Sequence, residues 1–105
     1  MSEISQKYDA SVALKEEGKL DEAVVLLQEI VESDPGYKLA HSALAVYLQK
    51  LDRLKEAVAH AQKVVELDPN DPFSYTQLSI ICQRCGMIAE AEDALAQARM
   101  KTAGH

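Results

Sequence analysis

The residues with the most chemical character are two thiols in Cys82-Gln83-Arg84-Cys85. A CxxC pair suits redox exchange when it opens a helix, because the helix dipole then lowers a thiol pKa. It suits zinc when two further ligands join it, since a structural zinc site needs about four. Here the pair closes an apolar-periodic segment instead of opening one. His41, His60 and His105 lie far away, with no i,i+4 pairing to the cysteines and no partner for one another in the sequence. The paired carboxylates Glu16–Glu17 and Glu90–Glu92 fall where exposed helix starts or ends are expected. No glycine-rich phosphate loop, GxSxG or HExxH is present. Catalytic and metal-binding residues are therefore expected to be absent, with no cofactor. A thiol or metal protein centred on Cys82 and Cys85 stands as the alternative from another class.

The elements that position these residues are helical. Ala, Leu, Glu, Lys and Gln dominate, with only four glycines and three prolines in 105 residues. The length bounds the chain to one domain, 1–105. No run approaches the roughly 18 apolar residues of a membrane helix, and the N-terminus has neither the basic nor the apolar region of a signal peptide. Two cysteines are too few for a disulfide framework, which points to a reducing, cytoplasmic location. The formal net charge of −6 disfavours phosphate backbones and anionic membrane surfaces. Residues 1–35 hold nine acids and three lysines, whereas 36–71 and 72–105 each balance to zero. That asymmetry reads as a solvated N-terminal face, or as an acidic edge that steers a basic partner.

A repeat of 34 residues runs through the chain. Pro35 and Pro69 each follow an aspartate, and Ala23, Ala57 and Ala91 each follow a glutamate. Leu20, Leu54 and Ile88 align, as do Ala10, Leu44 and Leu78, then Leu14, Leu48 and Cys82. Gly18 and Gly86 align with Asp52 between them. The units are 4–37, 38–71 and 72–105. Apolar periodicity predicts two helices in each, near 5–17, 20–33, 38–50, 54–67, 72–84 and 88–101. The alanines let paired helices approach, while the residues at 10/44/78 and 14/48/82 fill the space between them. On that register Cys82 is a core residue.

Gly-x-(Leu/Ile)-x-Glu-Ala with a closing Asp-Pro, repeated in phase, resembles the tetratricopeptide repeat over residues 4–105. Departures are Lys7 and His41 at the usual aromatic position, where Tyr75 conforms, and Ser11, Ala45 and Ser79 at the usual glycine. Ala61 stands where Leu27 and Leu95 keep the usual bulk, and Ala103 replaces the third proline. The resemblance implies an all-α fold. It would be a right-handed superhelical solenoid of three helix–turn–helix repeats, about six helices, with no separate C-terminal capping helix.

It also implies a concave face lined by the first helix of each unit. That face would present Tyr8, Val12 and Lys15, then Leu39, Ala43, Val46 and Lys50, then Phe73, Gln77, Ile80 and Arg84. Such an apolar groove with a basic rim fits a peptide or helix of a protein partner. The competing reading packs Val12, Val46 and Ile80 between adjacent helices. Heat-shock co-chaperones of this family hold a C-terminal carboxylate with two lysines, two asparagines and an arginine. The matching residues are Tyr8, Val12, Ala43, Phe73 and Gln77, so that clamp is absent. The last helix shows Ala91, Ala94, Leu95, Ala98 and Met100, a possible self-association face for a homo-oligomer. The function that follows is a non-catalytic adaptor or scaffold. A small chaperone for a secreted or assembly-prone partner is the alternative within that class.

Overall fold

The computed structural model describes residues 2–103. Six helices follow one another: α1 (Glu3–Glu16), α2 (Leu20–Ser33), α3 (Lys38–Lys50), α4 (Leu54–Leu67), α5 (Pro72–Arg84) and α6 (Ile88–Ala103). There is no strand among the described residues. Packing is most extensive within the hairpins α1–α2, α3–α4 and α5–α6, and α2 on α3 and α4 on α5 join them. The result is an all-α helical repeat solenoid. His105 lies outside the described residues.

Each hairpin turns on one residue in the left-handed region. Gly18 and Gly86 sit at φ 80° and Asp52 at φ 61°. Around each, the same two hydrogen bonds close the helix. Gly18 N–H donates to Lys15 O (3.0 Å) and Lys19 N–H to Leu14 O (2.8 Å). Asp52 and Arg53 repeat the pattern, as do Gly86 and Met87. These pairs satisfy carbonyls that the helix end would orphan. The junctions between hairpins use Asp34 and Asp68, both near φ −140° and outside the helical region that a following proline disfavours. Asp71 then caps α5: its carboxylate accepts from the Ser74 hydroxyl (2.9 Å) and from Phe73 N–H (3.0 Å). The Ser74 hydrogen bond, above all, holds its carboxyl below the usual aspartate value. Asp21 makes no cap; the α2 N-cap is Lys19, and Asp21 and Glu22 lie in the first turn, where the helix dipole favours acids.

Inside the hairpins Ala23, Ala57 and Ala91 are buried, as are Ser11, Ala45 and Ser79, the small residues of the partner helices. The Ser79 hydroxyl crosses to the Ala91 carbonyl at 2.8 Å. Leu27, Ile30, Leu44, Leu48 and Ile81 fill the core. Ala10 departs from its register partners, for it is exposed where Leu44 and Leu78 are buried, and Leu14 is only half-buried. The reason is that α1 packs extensively on α2 alone, whereas α3 and α5 each have helices on two sides.

The turn residues give a direct stability test. A Cβ at Gly18 would meet nothing within 4 Å, so Gly18→Ala is expected to cost about 1 kcal/mol through backbone strain alone. Asp52→Gly relieves that strain and is expected to gain about 0.5 kcal/mol after the entropy of the added glycine. Urea-unfolding midpoints check both signs.

Candidate binding groove

The first helix of every hairpin lines one face, and its 3.6-residue period decides which side chains reach it. Tyr8 and Lys15 from α1 meet Leu39, Ser42, Ala43, Val46, Tyr47 and Lys50 from α3 around a hollow of ≈ 240 Å³. A second hollow of ≈ 250 Å³ adjoins it, lined by Leu39 and Ser42 again with Lys38, Val64, Asp71, Phe73, Ser74 and Gln77. Shared walls make the two hollows one trough across α1, α3 and α5.

Its floor and its anchors differ. Tyr8, Ala43 and Val46 are half-buried and packed against the core, and Val12 is half-buried too. The packing reading therefore holds for Val46 in part. The free apolar surface is Phe73 at 81 % exposure, Leu39 at 54 % and Ile80 at 50 %. Val12, Ile80 and Arg84 lie outside both hollows. Arg84 is exposed and donates to Gln49 Oε1 of α3 at 2.8 Å. Lys15, Lys50 and Arg84 form no ion pair among the described residues, whereas Lys7, Lys19, Lys38 and Arg53 do.

Tyr47, which is not among the residues expected on the concave face, also lines the first hollow. It is almost fully buried, and burial, followed by Tyr8 and Glu16, raises its phenol pKa. Tyr8 stacks edge-on against Tyr37, with centroids 6.2 Å apart.

The cysteine pair is placed by packing. Cys82 is fully buried and Cys85, half-buried, caps α5. Burial, then Glu90 and Cys85, pushes the Cys82 thiol up, opposite to what an activated thiol needs. No group of three or more His, Cys, Asp or Glu is arranged to hold a metal among the described residues. The histidines require a correction: His41 and His60 do meet, with Nδ1 atoms 3.0 Å apart across α3 and α4. Glu16, Glu17, Glu90 and Glu92 are all exposed.

The proposed self-association face also changes. Ala91, Ala94 and Ala98 are buried within the chain, because the small face of α6 is the one that packs on α5. Leu95 is half-buried and Met100 is 63 % exposed. What remains is a hollow of ≈ 350 Å³ bounded by Thr76, Leu95, Ala98, Arg99, Thr102 and Ala103. No helix is long and apolar enough to cross a membrane among the described residues.

A family model described as tetratricopeptide repeat matches residues 14–79, from the last turn of α1 into the middle of α5. The chain belongs to the tetratricopeptide repeat family. No curated protein sequence matches it. Among solved structures, the MamA RS-1 ArsTM double mutant superposes with a TM-score of 0.88 at 17 % identity, covering 98 % of this chain and 58 % of that one. A chain of the CopN–Scc3 complex gives 0.89 at 16 % identity, covering 96 % and 61 %. The second tetratricopeptide domain of Spaghetti (RPAP3), bound to the HSP90 peptide SRMEEVD, gives 0.83 at 16 %, covering 94 % and 92 %. The chain thus spans about three-fifths of the length of the MamA and CopN–Scc3 chains. At these identities the likeness is one of fold.

The burial of the thiols predicts their reactivity. In the native protein Cys85 is expected to react with a thiol reagent well ahead of Cys82, and Cys82 only after denaturant is added. Equal native rates for both would show that Cys82 is not sealed in the core.

Proposed function

We propose that this tetratricopeptide chain is a non-catalytic interaction module that holds a short segment of a partner protein along the trough of α1, α3 and α5. The observation that carries the reading is the line of wet apolar side chains, led by Phe73 at 81 % exposure. An exposed aromatic beside a concave apolar floor is a costly surface for a monomer and a typical anchor for a partner. Lys15, Lys50 and Arg84, unpaired with any acid of the chain among the described residues, favour an acidic flank on the bound segment.

The peptide-bound RPAP3 domain and the CopN–Scc3 chain lend support, since folds of this shape occur in complexes with peptides or proteins. The mode proposed here differs from capture of a terminal carboxylate. Tyr8, Val12, Ala43, Phe73 and Gln77 supply no cation at the positions that family members use for it. A chaperone-like adaptor would use the same trough. Thiol or metal chemistry at Cys82 is disfavoured by its burial and raised pKa.

Selection from a random peptide library tests the reading. Retained peptides are expected to combine apolar residues with nearby acids. Phe73→Asp and Leu39→Asp are each expected to weaken them at least tenfold, as loss of an interface anchor does, with the circular dichroism of the helices unchanged. Both residues are exposed, so neither change touches the core. Peptides that bind both variants as well as the parent would place the binding face elsewhere.

A further inference from the structure

Behind the trough, α3 carries a second polar device that the proposed function does not use. His41 of α3 and His60 of α4 face each other with Nδ1 atoms 3.0 Å apart and ring centroids 5.2 Å apart. The other nitrogen of His41, Nε2, lies 2.8 Å from the Pro35 carbonyl oxygen in the turn between α2 and α3. A carbonyl oxygen only accepts, so His41 Nε2 bears a proton. In a neutral ring this leaves His41 Nδ1 as an acceptor, and His60 Nδ1–H is the donor to it. One directed chain of hydrogen bonds therefore runs from α4 through α3 to the α2–α3 turn.

We propose that the His41–His60 pair is an acid-sensitive latch, which ties α4, α3 and the α2–α3 turn while both rings are neutral and holds them less tightly once His60 takes up a proton. The gap between the two Nδ1 atoms accommodates one proton. A proton added at His60 Nε2 leaves the Nδ1–Nδ1 hydrogen bond in place but puts a charge on a pair in which His41 is buried and His60 half-buried. That charge is costly where the rings are desolvated, so the protonated pair holds the helices less tightly.

The surrounding charges do little to oppose this. Glu56, on α4, favours the charged His60 ring, but burial and His41 outweigh it and hold His60 below the ordinary imidazole value of 6.5. At the start of α3, Lys38 is engaged by Asp68 at 2.7 Å and by Asp71, ahead of α5, at 3.7 Å. In the turn, the Asp34 carboxylate accepts from Gly36 N–H at 3.3 Å. On α2, Glu29 pairs with Lys7 of α1 at 3.3 Å. No third His, Cys, Asp or Glu completes a metal set around the rings among the described residues. Because His60 takes its proton at lower pH folded than unfolded, the latch contributes fully above 6.5 and is lost as pH falls through the folded pKa.

The face of α3 that bears Leu39, Ala43, Val46 and Lys50 forms the centre of the trough, so a weaker hold would loosen it. That consequence rests on the groove reading; the tests below do not involve the groove. Urea unfolding of the full chain is measured between pH 7.5 and 5.5, above the range where ordinary carboxylates titrate, for the parent, His60→Gln and His41→Phe. A glutamine amide can turn to donate to or accept from His41 Nδ1, so it keeps the contact in either protonation state. Phenylalanine restores an aromatic at that repeat position and removes both ring nitrogens of His41, and with them the contacts to His60 and to the Pro35 carbonyl. The parent midpoint is expected to fall on acidification and both variants to respond less. The His60 ring, followed by NMR in the parent, is expected to titrate below 6.5 and to move upward in His41→Phe. Parallel midpoints in all three proteins would overturn the proposal. So would a parent His60 that titrates at or above 6.5, a result that needs no variant to fold.

Discussion

Close approach of two helices is the contact on which the rest of this molecule depends. Backbones come this near only where the facing side chains are small. Ser11, Ala45 and Ser79 on one side and Ala23, Ala57 and Ala91 on the other meet that demand in all three hairpins. The Ser79 hydroxyl spanning to the Ala91 carbonyl measures how little space is left. With the inside of each hairpin so thin, the bulky residues Leu27, Ile30, Leu44, Leu48 and Ile81 are displaced to positions where they join the core. Part of the trough face, at Leu39, Phe73 and Ile80, is then free of structural duty. That is why Phe73 and Ile80 can stand in water while residues of the same helix seal the core.

Much of this was legible in the sequence because it is local. The helix limits depend on turn chemistry, and Gly18, Asp52 and Gly86 mark it where they stand. The buried alanines follow from their spacing. The trough was legible in outline, since a helical period sorts residues by face. Its inner division was not, because Val46 and Phe73 belong to one face yet differ in depth, and depth is set by the neighbouring helix. Ala10 misled for the same reason: its register predicts burial, but α1 has a helix on one side only. Ala91, Ala94 and Ala98 are buried within the chain, which alanine spacing alone does not reveal. The His41–His60 contact spans 19 residues and depends on how α3 and α4 are rotated against each other. The one prompt for it was a histidine where the family keeps an aromatic ring.

The most suggestive motif and the most consequential polar pair thus exchanged places. Cys82 and Cys85 look reactive by spacing, but burial raises the cost of the Cys82 thiolate and leaves it a small apolar residue. His41 and His60 look unrelated by spacing, yet they share a hydrogen bond inside the solenoid. In both cases desolvation decides, by setting which charged forms the interior tolerates.

Every extensive helix–helix contact in the chain is between helices adjacent in sequence. The loops that must close during folding are therefore short, and the entropy of bringing distant segments together is never incurred. Helical proteins dominated by such local contacts typically fold in microseconds to milliseconds. The order of assembly is not dictated by topology: any hairpin can nucleate, and its neighbours condense onto it one at a time. The middle hairpin has a neighbour on each side while α1 and α6 have one each. Among the described helices, the middle hairpin is therefore the one most supported by packing.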